Sequence, residues 1–89
     1  MFLTPDFIRT NEEWIIWLLG SEFHTKATFQ ALIQRTRLLE DHIVEAVRNL
    51  ERVRAVRVER QGGTITSVIM LPGGDLLFEE LLHRSRNLE

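Results

Sequence analysis

The chain lacks cysteine, and it also lacks any long run of apolar residues. Without cysteine it can form no disulfide, no catalytic thiolate and no cysteine-based metal site. The longest apolar run, residues 14–19, is much shorter than the roughly 20 residues that a helix needs to cross a bilayer. Residues 1–3 carry none of the basic charge that opens a signal peptide. The sequence therefore predicts a cytoplasmic protein with no membrane segment.

The sequence also lacks a recognisable catalytic or metal-binding constellation. The three histidines, His24, His42 and His83, are not spaced as metal ligands. The adjacent carboxylates Glu12-Glu13 and Glu79-Glu80 would diverge by about 100° on a helix, so they make poor acid/base pairs. We therefore predict no enzyme, no metal and no cofactor.

The composition is that of one ordinary globular domain. Of the 89 residues, 44% are hydrophobic and 27% are charged, which is usual for a domain with one modest core. There is no repeat, low-complexity tract or linker, so we predict a single domain over residues 1–89. Leu88-Glu89 is interpreted as a tag remnant and is given no function.

Two apolar helices are predicted near the ends of the chain. Thr10 and Glu13 have the spacing of a capping box, which predicts a helix over residues 11–19 that Gly20 terminates. The last helix is predicted over residues 75–87, with Asp75 as its cap. The first of these helices is apolar nearly all round, which is typical of a helix that is buried on more than one side.

A second copy of the chain is the simplest surface to cover these helices, so we predict a homodimer. Exposed apolar patches of several hundred Å² are rare on monomers. The alternative is that both apolar stripes are buried in the core of the monomer. The predicted dimer interface consists of Trp14, Trp17, Leu77, Phe78, Leu81 and Leu82.

The centre of the chain has the periodicity of two helices joined by a tight turn. Apolar residues three and four apart within residues 27–33 predict an amphipathic helix with Thr25 as its N-cap. Arg37-Leu38 is predicted to form the turn. The next helix is predicted to bury one face over three turns. The members of that face are Leu39, Ile43, Ala46, Val47 and Leu50.

Beyond the second helix the apolar period changes to that of a strand. Val56 and Val58 alternate with polar residues, and Gly62-Gly63 suits the positive φ angles of a tight hairpin turn. The returning strand, residues 64–71, is rich in β-branched residues and ends at Pro72-Gly73-Gly74. A helix pair followed directly by a hairpin predicts a helix-turn-helix with a wing.

At these residues the chain resembles the winged helix-turn-helix regulators, especially the MarR-like and PadR-like groups. Ala31-Leu32-Ile33 stands at the small and apolar helix positions of that pattern, Leu38 at its turn, and residues 65–74 at the second wing strand and the following break. The resemblance implies an α+β winged helix-turn-helix fold. Such a fold has a three-helix core, a two-stranded β-hairpin wing and here an additional C-terminal helix. The alternative is a generic α+β domain in which the same elements pack differently.

The resemblance also implies a DNA-binding transcriptional regulator that acts as a homodimer, with the third helix in the major groove and wing arginines on the phosphate backbone. Rotation by 100° per residue from the buried stripe turns Arg48 and Arg52 outward, with His42 and Asn49 beside them. Other arginines flank this helix. The predicted contacts with double-stranded DNA are Arg35, Arg37, His42, Arg48, Asn49, Arg52, Arg57, Arg60, Gln61 and Thr64.

The charge distribution supports this function only mildly. The net charge of the chain is −2, although residues 37–60 carry six arginines against five acids and are net positive. Asp41 and Glu45 share the outward helix face, where phosphates would repel them. A solvated, salt-paired face fits the same pattern. The alternative function is therefore a winged helix module or subunit that contacts a protein partner without reading DNA.

Overall fold

The computed structural model describes residues 5–87, so the predicted tag remnant Leu88-Glu89 lies outside the described residues. Within that range the chain forms four helices and three strands. The helices are α1 (Asn11–Ser21), α2 (Phe29–Thr36), α3 (Glu40–Arg52) and α4 (Pro72–Asn87). The strands are β1 (Lys26–Thr28), β2 (Val56–Gln61) and β3 (Thr64–Met70). No helix in the described range is long and apolar enough to span a bilayer.

The three strands form one antiparallel sheet in the order β1-β3-β2. The β2–β3 hairpin turns at Gly62 and Gly63, whose φ angles of 59° and 82° confirm the predicted positive-φ turn. The third strand, β1, was not predicted. Its three residues carry too little pattern to reveal a strand that exists because it pairs with residues 67–69 of β3.

The missed strand also corrects the predicted start of α2. Thr25 is not the N-cap, because it precedes β1 and has a φ angle of 81°. The N-cap is Thr28, whose side-chain oxygen accepts a hydrogen bond of 3.1 Å from the N–H of Ala31. Because β1 pairs with β3, the helix begins only where that strand ends.

Most of the predicted face of α3 lies in the core. Leu39 is the exception, because it is the N-cap of α3 and its side chain is 69% exposed. An N-cap residue has non-helical backbone angles, so its side chain does not follow the helical stripe. The predicted turn is confirmed by the left-handed backbone of Arg37, with a φ angle of 59°. The buried residues of α3 are Ile43, Ala46, Val47 and Leu50.

A glycine allows α1 and α4 to pack closely. Gly20 was predicted to terminate α1, but the helix continues to Ser21 and Gly20 lies inside it. The ring of Phe78, on α4, occupies the space where a Cβ of residue 20 would lie. Trp17 packs against the same ring, with the two ring centroids 5.4 Å apart. The glycine therefore serves the contact between the helices and does not end α1.

The start of α4 also differs from the prediction, since the helix begins at Pro72 and not after a cap at Asp75. Proline suits a first helical position because the N–H that it lacks would have no partner there. Gly73 and Gly74 follow it within the helix. A Cβ on either glycine would overlap the carbonyl oxygen of Arg54 or Ala55. These glycines thus let the first turn of α4 lie against the chain that leaves α3.

The predicted capping box of α1 is formed in a modified way. The N–H of Glu13 donates to Thr10 Oγ1 at 3.1 Å, while Glu13 Oε1 accepts from the N–H of Arg9 at 2.8 Å. The same carboxylate oxygen accepts a 2.8 Å hydrogen bond from Arg84 of α4. Arg84 also donates to the carbonyl oxygen of Phe7 at 2.9 Å. This ion pair therefore joins the chain before α1, α1 itself and α4.

We expect Glu13→Gln to remove a stabilisation that disappears in acid. Burial by itself would raise the pKa of Glu13, but the hydrogen bonds and charges of Arg84 and Arg9 outweigh it and hold the pKa below 4.5. A carboxyl group whose pKa is lower in the folded chain stabilises the fold above its unfolded pKa, and the stabilisation is lost as pH falls through the folded pKa.

The Glu13→Gln variant should therefore lose about 1 kcal/mol of unfolding free energy at neutral pH, the scale of one hydrogen bond to a charged group after a discount for partial exposure to solvent. At an acidic pH below the folded pKa of Glu13, where the carboxyl group is protonated, the variant and the wild type should unfold alike. Chemical denaturation at both pH values measures the difference. An equal loss at both pH values would mean that the charge of Glu13 is not what stabilises the fold.

Candidate nucleic-acid interface

The polar face of α3 is exposed to solvent beside the wing. Asp41, Glu45, Arg48 and Arg52 line a shallow polar surface along the helix, and all four side chains are exposed. Within residues 5–87, neither of these two arginines forms an ion pair. Both guanidinium groups are thus available to an anion, although two carboxylates share their face.

A groove of about 240 Å³ separates α3 from the wing. Arg48 and Glu40 line it from the helix, and Arg60, Gly63 and Thr64 line it from the hairpin. Guanidinium and hydroxyl groups donate hydrogen bonds, so this groove has the chemistry to receive an anion. Of the predicted DNA contacts, the structure brings Arg48, Arg60 and Thr64 together here.

The position of Arg60 follows from the geometry of β2. Val58 packs against the core, whereas Arg57 and Glu59 alternate with it on the outer face of the sheet. Arg60 therefore lies on the same side as Val58 but beyond the core, next to α3. The register shifts by one residue between Glu59 and Arg60, and there Thr66 Oγ1 donates to the Glu59 carbonyl oxygen at 3.1 Å. Arg57 and Arg60, although predicted together, lie on opposite sides of the sheet.

Arg60 is held by a carboxylate of α3. Its Nη1 and Nη2 donate to the two carboxylate oxygens of Glu51 at 3.2 and 2.9 Å. These hydrogen bonds lower the pKa of Glu51 and raise the pKa of Arg60. Glu51 was not predicted to belong to the site. The two residues lie in different elements, and no sequence spacing relates a helix residue to a hairpin residue in this way.

Two other residues that were predicted to contact DNA, Arg35 and Asn49, bind side chains of α1 and its C-terminal cap. Arg35 Nε lies 2.8 Å from Glu22 Oε2, and the Arg35 guanidinium lies 5.5 Å from the centre of the Trp14 ring. Asn49 Nδ2 donates to Glu12 Oε2 on α1 at 3.0 Å. Arg35 therefore ties α2 to α1, and Asn49 ties α3 to α1.

The remaining predicted contacts are exposed side chains on different elements. Arg37 lies in the turn between α2 and α3, and His42 lies in the first turns of α3. Gln61 ends β2 at the tip of the wing. Arg57 is exposed on the outer face of the sheet, where Lys26 and Glu59 form an ion pair of 3.3 Å. The structure therefore does not gather all ten predicted residues on one surface.

The predicted dimer residues differ in how far the single chain covers them. Trp14 and Leu81 are each 2% exposed and lie inside the chain. Trp17, Phe78 and Leu82 are half-buried, and Leu77 is exposed. Its neighbour Leu76 is 69% exposed. The apolar surface that α4 leaves exposed is therefore centred on Leu76 and Leu77.

An apolar groove of about 260 Å³ lies between α1, α3 and α4 and was not predicted. Its apolar lining comes from residues far apart in the sequence, and three carboxylates also line it. The apolar residues are Ile16, Leu50, Val53, Leu77 and Leu81. The carboxylates are Glu12, Glu13 and Glu80.

The arrangement of these elements defines a winged helix-turn-helix protein. α2 and α3 form the helix-turn-helix, α1 completes the three-helix core, the β2–β3 hairpin is the wing and α4 is the additional helix. More narrowly, the fold is similar to that of solved MarR-family proteins. No family model matches the chain, and no curated protein matches it.

Three solved structures illustrate the likeness. The transcriptional regulator BldR from Sulfolobus solfataricus is 25% identical, with a TM-score of 0.70 over 86% of this chain and 55% of its own. A MarR-family transcriptional regulator from Silicibacter pomeroyi is 15% identical, with a TM-score of 0.68 over 88% of this chain and 53% of its own. BpsR from Bordetella bronchiseptica is 15% identical, with a TM-score of 0.69 over 96% of this chain and 65% of its own.

BldR and the Silicibacter pomeroyi protein are described as transcriptional regulators, and BpsR is described as a protein whose DNA binding is regulated by 6-hydroxynicotinic acid. At 15% identity the last two establish the fold alone. The chain spans between 53% and 65% of the length of the three structures.

Proposed function

We propose that the chain binds double-stranded DNA as a transcriptional regulator, with α3 in the major groove and arginines on the phosphate backbone. The observation that carries this proposal is the groove between α3 and the wing, which Arg48 and Arg60 line from opposite sides. A guanidinium group makes bidentate contacts with phosphate and with guanine. The likeness to BldR, a transcriptional regulator, and to BpsR, whose DNA binding is regulated by 6-hydroxynicotinic acid, adds support.

The proposed contacts are of two kinds, because phosphate contacts position a protein while base contacts specify the sequence. The candidates for base edges lie on the exposed face of α3 and are His42, Arg48 and Arg52, of which the two arginines can also bind the phosphates beside the groove. The candidates for the backbone lie at the turn and on the wing and are Arg37, Arg57, Arg60, Gln61 and Thr64. Arg35 and Asn49 would reach DNA only by leaving Glu22 and Glu12, so their first role is to brace the helices.

The direct test is a fluorescence-anisotropy titration of the folded protein with a duplex of random sequence. We expect binding at low salt that weakens as salt is added. Each neutralised phosphate should contribute roughly −0.9 to the slope of log K against log salt. A folded protein that binds no duplex at low salt would contradict the proposal.

We further propose that the chain forms a homodimer through α4. Leu76 and Leu77 leave apolar surface exposed there, and the charges of the helix are divided between its halves. The acidic Asp75, Glu79 and Glu80 precede the basic His83 and Arg86, whereas Arg84 is already bound to Glu13 within the chain. In an antiparallel pair of α4 helices, each acidic half would therefore lie against a basic half.

Leu76→Glu should convert this dimer to a monomer without unfolding it, because the side chain is 69% exposed in the single chain. Sedimentation equilibrium at micromolar concentration measures the change. Leu39→Glu is the matched control, since Leu39 is equally exposed but lies at the start of α3. A wild type that sediments as a monomer at every concentration would contradict the dimer. So would equal dissociation of both variants.

The alternative function is a winged helix module that binds a protein. Asp41 and Glu45 on the exposed face of α3 favour it, because phosphates repel carboxylates. The apolar groove between α1, α3 and α4 would offer such a partner a place for apolar side chains. This alternative gains support if the folded protein fails to bind duplex DNA at low salt.

A further inference from the structure

The ion pair between the wing and α3 occupies one of the groups that the groove would offer to DNA. Arg60 lines the groove together with Arg48, yet both of its terminal nitrogens are bound to Glu51. Glu51 is not among the residues that line the groove, and its carboxylate binds both terminal nitrogens of Arg60. The free protein therefore holds Arg60 at the edge of the groove in a neutralised state.

The exposure of the ion pair between Arg60 and Glu51 allows Arg60 to exchange the carboxylate for another anion. The side chains of Arg60 and Glu51 are 41% and 38% exposed, so neither is locked by packing. Exposed ion pairs contribute little to stability, and the two-nitrogen geometry places this one at the upper end of their range. A phosphodiester presents the same two-oxygen geometry as a carboxylate, and the neighbouring phosphates of a duplex add to its attraction.

We infer that Glu51 is an intramolecular competitor for the phosphate backbone, which lowers the affinity of the wing for every DNA sequence alike. When a phosphodiester enters the groove between α3 and the wing, Arg60 leaves Glu51 and binds it beside Arg48. The inference rests on the proposed DNA binding and names the group that limits it. Glu51 acts through Arg60 and touches no DNA itself.

The test is Glu51→Gln in the same anisotropy titration. Gln keeps the size of the side chain but removes the charge that holds Arg60, so duplex affinity should rise about two- to fivefold, the range set by a surface ion pair. Removal of any nearby negative charge also favours DNA, and Glu59→Gln measures that general effect. Glu59 is the matched control because it precedes Arg60 and forms an exposed ion pair of its own with Lys26.

A double-mutant cycle isolates the part of the gain that passes through Arg60. In the background of Arg60→Gln, the added substitution Glu51→Gln should raise affinity no more than Glu59→Gln does. The inference is overturned if Glu51→Gln tightens binding no more than Glu59→Gln, if its gain persists without Arg60, or if it weakens binding. Those outcomes leave the proposed function intact, because the wild type still binds; a wild type without duplex binding removes both.

Discussion

Replacement of Leu50 by alanine should lower the free energy of unfolding by about 2–5 kcal/mol, the range for truncation of a buried leucine. Leu50 is 3% exposed and lies where α3 meets the rest of the core, at the edge of the apolar groove. Truncation removes apolar contacts and enlarges that groove toward the core. The loss should fall near the lower end of the range if the groove lets neighbouring side chains or water fill the space.

Chemical denaturation of Leu50→Ala measures this loss, and Val53→Ala is its matched control. Val53 lines the same groove only one turn further on, but its side chain is 65% exposed. Its truncation should change the stability by no more than about 0.5 kcal/mol. Similar losses in the two variants would mean that α3 turns a different face to the core.

Local patterns were sufficient to predict the parts of the fold that local interactions determine. The stripe from Ile43 to Leu50 repeats often enough to define both a helix and its buried face, and the structure confirms it. Gly62-Gly63 defined the hairpin because few residues other than glycine accept two consecutive positive φ angles. These elements could therefore be found without knowledge of what they pack against.

The errors fall where a distant residue decides the local structure. β1 exists because it pairs with β3 some 40 residues later, and without that pairing Thr25 looked like a helix cap. Gly20 resembled a helix terminator, but the ring of Phe78 is the reason for it. In both cases the local pattern was misinterpreted because the residue that explains it lies in another part of the chain.

The candidate site was predicted by residue type better than by arrangement. The rotation of 100° per residue correctly predicted that Arg48 and Arg52 face solvent, because both positions depend on a single helix. It could not reveal that Arg60 binds Glu51, or that Arg35 binds Glu22, because each pair joins two elements. Strand alternation alone also could not show that Arg60 lies next to α3 and Arg57 on the opposite side of the sheet, because this depends on how the sheet packs. The exposure of a charged side chain can be predicted from its own helix, but its ion-pair partner is known only from the tertiary structure.

Arg48→Gln combined with Arg52→Gln should produce the largest functional loss. Both side chains are exposed on α3 and form no ion pair within residues 5–87, so DNA need not displace a carboxylate to reach them. If each neutralises one phosphate, the slope of log K against log salt should become shallower by about 1.8. If the variant and the wild type bind equally at about 1 M salt, this change in slope implies a roughly 60-fold lower affinity of the variant for DNA at about 0.1 M salt.

The matched control is Arg9→Gln combined with Arg54→Gln, which removes the same net charge. Arg9 precedes α1 and Arg54 lies in the turn between α3 and β2, and both side chains are exposed outside the helix-turn-helix and the wing. Anisotropy titrations at three or more salt concentrations should give this control a nearly unchanged slope. Equal weakening in both variants would mean that net charge, and not the face of α3, governs binding. A slope unchanged in the Arg48 and Arg52 variant would mean that DNA meets another surface, because removal of two phosphate contacts must release fewer counterions.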